Sequence, residues 1–243
     1  MIYRMNRIQQ RSFTEVRPRV LQDGDLVSLQ FQNGEIQSAM LVSDPHLLTL
    51  PYTRTMAAFQ LFFPEPERIA MIGLGGGSIA KWCYQQLPEA NITVIEINPH
   101  VISLRAQFYI PEDDHRLSII QGDGADYVAG TKDSPEVLLV DGFDVHGQPP
   151  QLCSEWFYKS CYRALATDSL LVVNLCGPDD QTALDHIREI FHNRVFIVTP
   201  EGGENKIVFA VKGRCCQIEN EPADTLLKQF HADYMLAPAL FQS

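Results

Sequence analysis

From Glu67 to Lys212 the chain alternates short apolar runs with helix-length segments, and this alternation restricts the fold more than any other feature. The runs are RIAMIG, ITVIEI, RLSIIQG, EVLLVDG, SLLVVNLC, RVFIVT and KIVFAVK. Between them lie SIAKWCYQQL, PHVISLRAQF, a short ADYVAG, SEWFYKSCYRAL and DQTALDHIREIF. The order is β-α-β, which predicts an α/β fold with a mostly parallel, doubly wound sheet. The last two strands are joined by the turn-rich TPEGGENK, so the final strand is expected to run antiparallel.

The first fifty residues follow another pattern. VRPRVLQDG, DLVSLQFQNG and EIQSAMLVSD are short and partly alternating, and Asp23-Gly24 and Asn33-Gly34 are hairpin signals. They predict a small antiparallel β-meander over residues 1–50, ahead of a main α/β domain over 51–243. Helical spacing from Tyr52 to Phe62 ends at Pro64. PADTLLKQFHADYMLAPALF near the C-terminus reads as a docking helix.

Charge and composition exclude several function classes. The formal net charge is −11, from 19 basic against 30 acidic residues. No basic cluster exists to neutralise phosphates, so a nucleic-acid partner is not expected. No apolar run approaches the ~20 residues of a membrane span. MIYRMNRIQQRSF has no apolar core of a signal peptide. Six cysteines occur without a C-x-x-C pair, and they read as reduced thiols of a cytoplasmic protein. The acidity suits a cationic substrate, although solubility alone accounts for it equally well.

The first strand of the repeat runs into AMIGLGGGS and then into helix SIAKW. Glycines let a ligand approach the backbone, and a helix N-terminus adds free N–H groups and positive potential. Gly73 and Gly75 fit a dinucleotide fingerprint, but Ser78 stands at its third glycine position. A tight strand–helix turn is the competing reading. Glu96, about twenty residues on at the end of VIEI, can accept hydrogen bonds from ribose hydroxyls or serve as a structural cap. Asp123, between Gly122 and Gly124, can face an adenine amino group or cap the helix ADYVAG. Glycines, Glu and Asp at three successive strand ends favour an S-adenosyl nucleoside over NAD. Asp141 and Asp144 in LLVDGFD can hold a cation, deprotonate an ammonium nucleophile or bind a metal. Metal is disfavoured because His146 is the one histidine nearby. His186 and His192, six apart, read as surface residues, and Trp156, Phe157 and Tyr158 as core and rim of a helix.

IGLGGGS, VIEINPHVI, IIQGDGADYV, LLVDGFDVHGQPPQL, EWFY and LLVVNL together resemble the spermidine synthase family of aminopropyltransferases, from about Leu29 to Lys212. The resemblance implies a Rossmann-like sheet of the S-adenosylmethionine methyltransferase type behind a small β domain. It implies aminopropyl transfer from decarboxylated S-adenosylmethionine to a diamine such as putrescine, with release of methylthioadenosine, no metal, and a homodimer. By the same resemblance Glu96 binds ribose, and Asp123 and Gly124 bind adenine. Gly73, Gly75 and Gly77 belong to the donor loop, and Gln37 binds the donor. Tyr52 lines the pocket, and Asp141 helps to deprotonate the attacking amine; Asp144, from its place at the pocket lip, is expected to bind substrate or to serve a turn. Three positions depart from the family pattern. Gly76 stands where the family has an aspartate facing the donor's ammonium, Asn98 replaces an aspartate, and Thr53-Arg54 replaces a polar–acid pair. Arg54 is expected to add a positive charge. These departures leave open S-adenosylmethionine as a methyl donor, or a non-catalytic nucleoside-binding role.

Overall fold

The structure is a computed structural model that describes residues 16–31, 34, 36–144, 147–177, 180–202 and 204–214. The helix expected over 222–241, Cys215, Cys216 and His146 lie outside the described residues.

Three strands, β1 (Arg19–Asp23), β2 (Leu26–Gln30) and β3 (Ile36–Leu41), form an antiparallel sheet in sequential order. Asp23 pairs with Leu26, so Gly24 and Asp25 make a two-residue turn. The Asp25 carboxylate accepts the backbone N–H of Ser43 at 2.8 Å and fastens the far end of β3 to that turn.

The helix expected from Tyr52 forms as two pieces, α1 (Pro51–Ala57) and α2 (Phe59–Phe62). The break has a local cause. The Thr53 and Thr55 hydroxyls donate back to the carbonyls of Leu50 and Pro51, and Ala58 N–H closes a three-residue turn on Thr55. Such bonds compete with the regular helical ladder.

The main sheet has seven strands: β4 (Arg68–Ile72), β5 (Asn91–Glu96), β6 (Leu117–Gln121), β7 (Val137–Val140), β8 (Ser169–Leu175), β9 (Val195–Val198) and β10 (Lys206–Lys212). Their spatial order is β6-β5-β4-β7-β8-β10-β9. β10 lies antiparallel between β8 and β9, so the final hairpin folds back into the sheet. The connecting helices are α3 (Ser78–Gln86), α4 (Pro99–Ile102), α5 (Gly124–Gly130), α6 (Glu155–Ala164) and α7 (Asp180–Ile190). The segment expected as one helix over 99–108 is a single α-turn followed by a 3₁₀ turn at Arg105–Phe108, because Leu104 and Gln107 each bond to the carbonyl three residues back.

Alternate residues of the central strands feed two cores. Ile69, Met71, Val137, Leu139, Leu170 and Val172 point to one face, and Ala70, Ile72, Leu138, Val140, Leu171 and Val173 to the other. This burial on both faces is why the strands read as continuous apolar runs. The first core also contains Val27, Leu29 and Met40, so the small sheet packs onto the large one through shared apolar side chains. Among the described residues, no helix is long and apolar enough to cross a membrane.

Candidate active site

The chain leaves β4 toward β5 on one side and β7 toward β8 on the other, which opens a crevice at the carboxyl ends of these strands. A cavity of about 580 Å³ occupies it, roofed by β3 and the start of α1.

The glycine loop forms its floor. Gly73 has φ +94°, and a Cβ there would lie 2.2 Å from the Asp141 carbonyl oxygen. Only a residue without a side chain fits that approach. Gly75 also lines the cavity, whereas Gly76 and Gly77 are not on its wall. Gly77 precedes α3 in the left-handed region and faces Ile110. At Gly76 a Cβ would meet Ser38 Oγ at 2.6 Å and Phe108 Cδ1 at 2.8 Å. The space a side chain would need there is filled by β3 and by the turn after α4.

Glu96 ends β5 with 8% of its surface exposed. Its Oε2 accepts Leu74 N–H at 2.9 Å and its Oε1 accepts Asn98 N–H at 2.8 Å. Burial raises its pKa, and these backbone donors oppose the rise. The Gly75 and Ile97 backbones bond to the same carboxylate, so four loop groups hold it as a cap. The residue also lines the cavity. Asp123 is similar: Oδ1 accepts Ala125 N–H at 2.8 Å as the N-cap of α5, and the residue also lines the cavity. Gly124 stands beside it, with Ile72 Cγ2 only 2.4 Å from where a Cβ would be.

Asp141 follows β7 and faces the same space. Asn174 on β8 donates to its Oδ1 at 2.9 Å. The Tyr52 hydroxyl is within hydrogen-bonding reach of the carboxylate and lies 3.2 Å from the Gln37 carbonyl. Burial pushes the Asp141 pKa up to about 6, against the lowering effect of Asn174 and Tyr52. Burial, then the neighbouring Asp141 charge, raise the Tyr52 pKa well above its usual value, so the phenol stays protonated. Gln37 and Asp144 also line the cavity. Asp144 N–H donates to the Gly147 carbonyl at 2.8 Å, so this aspartate is also part of a tight turn.

Arg54 brings its positive charge to the edge of the site through Glu201, a cavity-wall carboxylate that acts on it electrostatically. Its guanidinium donates to the carbonyls of Leu48 and Thr49 at 3.0 and 2.9 Å, and the residue is not on the cavity wall. Asn98 is likewise engaged, capping α4 through His100 N–H and donating to the Val16 carbonyl. Among the polar cavity residues that escape a reading along the chain are Ser38, Asn174, Glu201 and Asn205. Glu201 and Asn205 sit in TPEGGENK, whose turn composition signals a hairpin but not its destination. Among the described lining residues five are acidic (Glu96, Asp123, Asp141, Asp144 and Glu201) and none is Lys, Arg or His. Such a wall favours cations and repels carboxylates. Among the described residues no group of three His, Cys, Asp or Glu side chains gathers to hold a metal.

Residues 49–212 match the family described as the spermine/spermidine synthase domain. A polyamine aminopropyltransferase of Neisseria meningitidis is 34% identical over 212 residues, which cover 86% of this chain and 80% of that protein. One from Chromobacterium violaceum is 36% identical over 207 residues, covering 83% and 79% respectively. A spermidine synthase solved in complex with the transition-state analogue AdoDATO superposes with a TM-score of 0.62 at 20% identity, covering 91% of this chain and 86% of that one. A domain match across the crevice and its loops, joined to relatives of this identity and coverage, makes the chain a member of the spermine/spermidine synthase family.

Proposed function

We propose that the protein is an aminopropyltransferase that takes the aminopropyl group of decarboxylated S-adenosylmethionine, attaches it to a primary amine of a putrescine-like acceptor, and releases methylthioadenosine. The observation that carries this reading is that every charged side chain among the described cavity residues is acidic, Asp141 among them. Both reactants are cations, and an intact methionine carboxylate would meet only like charge there. Family membership and the polyamine aminopropyltransferase relatives support the same reaction.

The residues divide the work. Glu96 holds the ribose hydroxyls, and Asp123 and Gly124 face the adenine. Gly73 and Gly75 let the sulfur approach the backbone, with Gly77 shaping the turn behind them. Gln37 closes over the donor from β3. Tyr52 and Asp144 orient the acceptor. The donor's sulfonium makes the adjacent carbon electrophilic. The acceptor's ammonium has no free electron pair, so it first gives a proton to Asp141. The freed nitrogen pair then bonds to that carbon as the carbon–sulfur bond breaks and its electron pair returns to sulfur. With a pKa of about 6 this carboxylate is mostly ionised at neutral pH and is a better base than an ordinary aspartate. Holding the amine also fixes its line of attack.

We read residues 1–50 as a covering unit on a catalytic unit of 51–243. The protein works in the cytoplasm as a homodimer, without metal. Light scattering on the purified protein tests the dimer. The reaction is tested by incubating the protein with decarboxylated donor and a panel of diamines, and following methylthioadenosine by chromatography. Donor binding without product from any diamine would overturn the assignment.

A further inference from the structure

Asp141 receives its bond from Asn174, and Asn174 is itself held. Asn205, just before β10, donates from Nδ2 to Asn174 Oδ1 at 2.9 Å. The pair is adjacent because β10 inserts beside β8, with Ile207 opposite Asn174 in the ladder. Asn174 is only 2% exposed, so water does not readily replace either partner.

An asparagine amide donates at one end and accepts at the other, and a half-turn exchanges the two. In one orientation Asn174 gives an N–H to Asp141. In the other it sets a carbonyl oxygen against a buried carboxylate, losing a bond to an ion and adding repulsion. The Asn205 N–H is satisfied only by the first orientation. We propose that Asn205 is a positioning residue for the proton acceptor: acting through Asn174, it holds the amide that orients Asp141 and keeps its carboxylate ionised. The proposal rests on the reading of Asp141 as the base for aminopropyl transfer. Asn205 itself touches no reacting atom in this scheme.

The relay runs across three strand ends, from the β9–β10 hairpin through β8 to β7. The other titratable groups on this cavity are Tyr52 from α1, Glu96 from the end of β5, Asp123 from the loop after β6, Asp144 three residues after Asp141, Cys176 after β8, and Glu201 in the hairpin. Removing a neutral asparagine changes none of these charges, so a shift at Asp141 reports the relay.

The test is a carbon-13 titration of the Asp141 carboxyl in the full chain, assigned by its loss in Asp141→Asn. It needs no turnover, so it stands apart from the assay for aminopropyl transfer. In Asn205→Leu, which keeps the volume and removes the donor, the midpoint is expected to rise by about half to one pH unit. The acid limb of kcat/KM for the acceptor should move with it, with donor affinity unchanged. In an Asn174→Leu background, Asn205→Leu should add no further shift, because its path is already cut. A midpoint unmoved by Asn205→Leu would overturn the proposal, as would an equal shift in the Asn174→Leu background. Normal titration shifts in a protein that forms no methylthioadenosine would instead overturn the reaction and leave the relay standing.

Discussion

Lowering the pH from 7 to 5 separates a buried base from an ordinary carboxylate. With its pKa at about 6, Asp141 is ionised in about nine molecules of ten at pH 7, half at pH 6 and one in eleven at pH 5. The kcat/KM for the acceptor should therefore fall about tenfold between pH 7 and pH 5. An aspartate at the ordinary 3.8 would lose less than about a tenth of its ionised form over the same interval. The acceptor's ammonium groups, with pKa values near 10, stay protonated throughout and add nothing to the limb. The assay is initial methylthioadenosine release at saturating donor and low acceptor, with unfolding excluded by circular dichroism at each pH. Asp141→Asn should lower the rate at pH 7 by at least about 10². A rate flat from pH 7 to pH 5 in a folded enzyme would refute the raised pKa, and an undiminished rate in Asp141→Asn would refute its role as proton acceptor.

Stability should move the opposite way. Between about pH 4 and 6 folded Asp141 keeps a proton that the unfolded chain has released, so this group stabilises the fold below that window and loses the benefit as pH rises through 6. Asp141→Asn should then raise stability at pH 7 by about 1–3 kcal/mol, with the opening of the side chain to the cavity setting the lower figure, as read by urea unfolding. Calorimetry should find decarboxylated S-adenosylmethionine bound about tenfold or more tightly than the intact form, and a preference for the intact form would contradict the acidic wall. Glu96→Gln sets an amide N–H against either Leu74 N–H or Asn98 N–H, and should weaken donor binding by about 10–10² in the same experiment. Gly76→Asp restores a family side chain where Ser38 and buried Phe108 leave no room, and should cost about 1–3 kcal/mol, seen as a lower melting temperature without tighter donor binding.

What could be read along the chain depended on whether the signal was local. β7 and β8 are buried on both faces, so their apolar runs announce them without knowledge of their neighbours. Glu96, Asp123 and Asp141 share a legible grammar, an acid at a strand's carboxyl end. The break at Ala58 and the split of 99–108 depend on individual hydroxyl and three-residue bonds, which helical periodicity does not encode. Arg54 reads as a charge for the site; it lies off the cavity wall, bonded to two loop carbonyls, and meets the site through the charge of Glu201. Asn174, Asn205 and Glu201 were silent because their meeting depends on β10 entering between β8 and β9. A hairpin signal predicts that two strands pair. It does not say which third strand the pair joins.

The near-contact between Gly73 and the Asp141 carbonyl acts as a gauge. The glycine loop and Asp141, proposed above as donor loop and base, follow adjacent strands, β4 and β7, whose separation is set by main-chain hydrogen bonds, including Asp141 N–H to the Ile72 carbonyl. Main chain therefore meets main chain at the point where the proposed reaction would bring donor and acceptor together. Side chains around the cavity can change to suit another amine without altering that spacing, whereas any side chain at residue 73 would widen it. Acceptor choice is thus free to drift while the reach of the reaction stays constant.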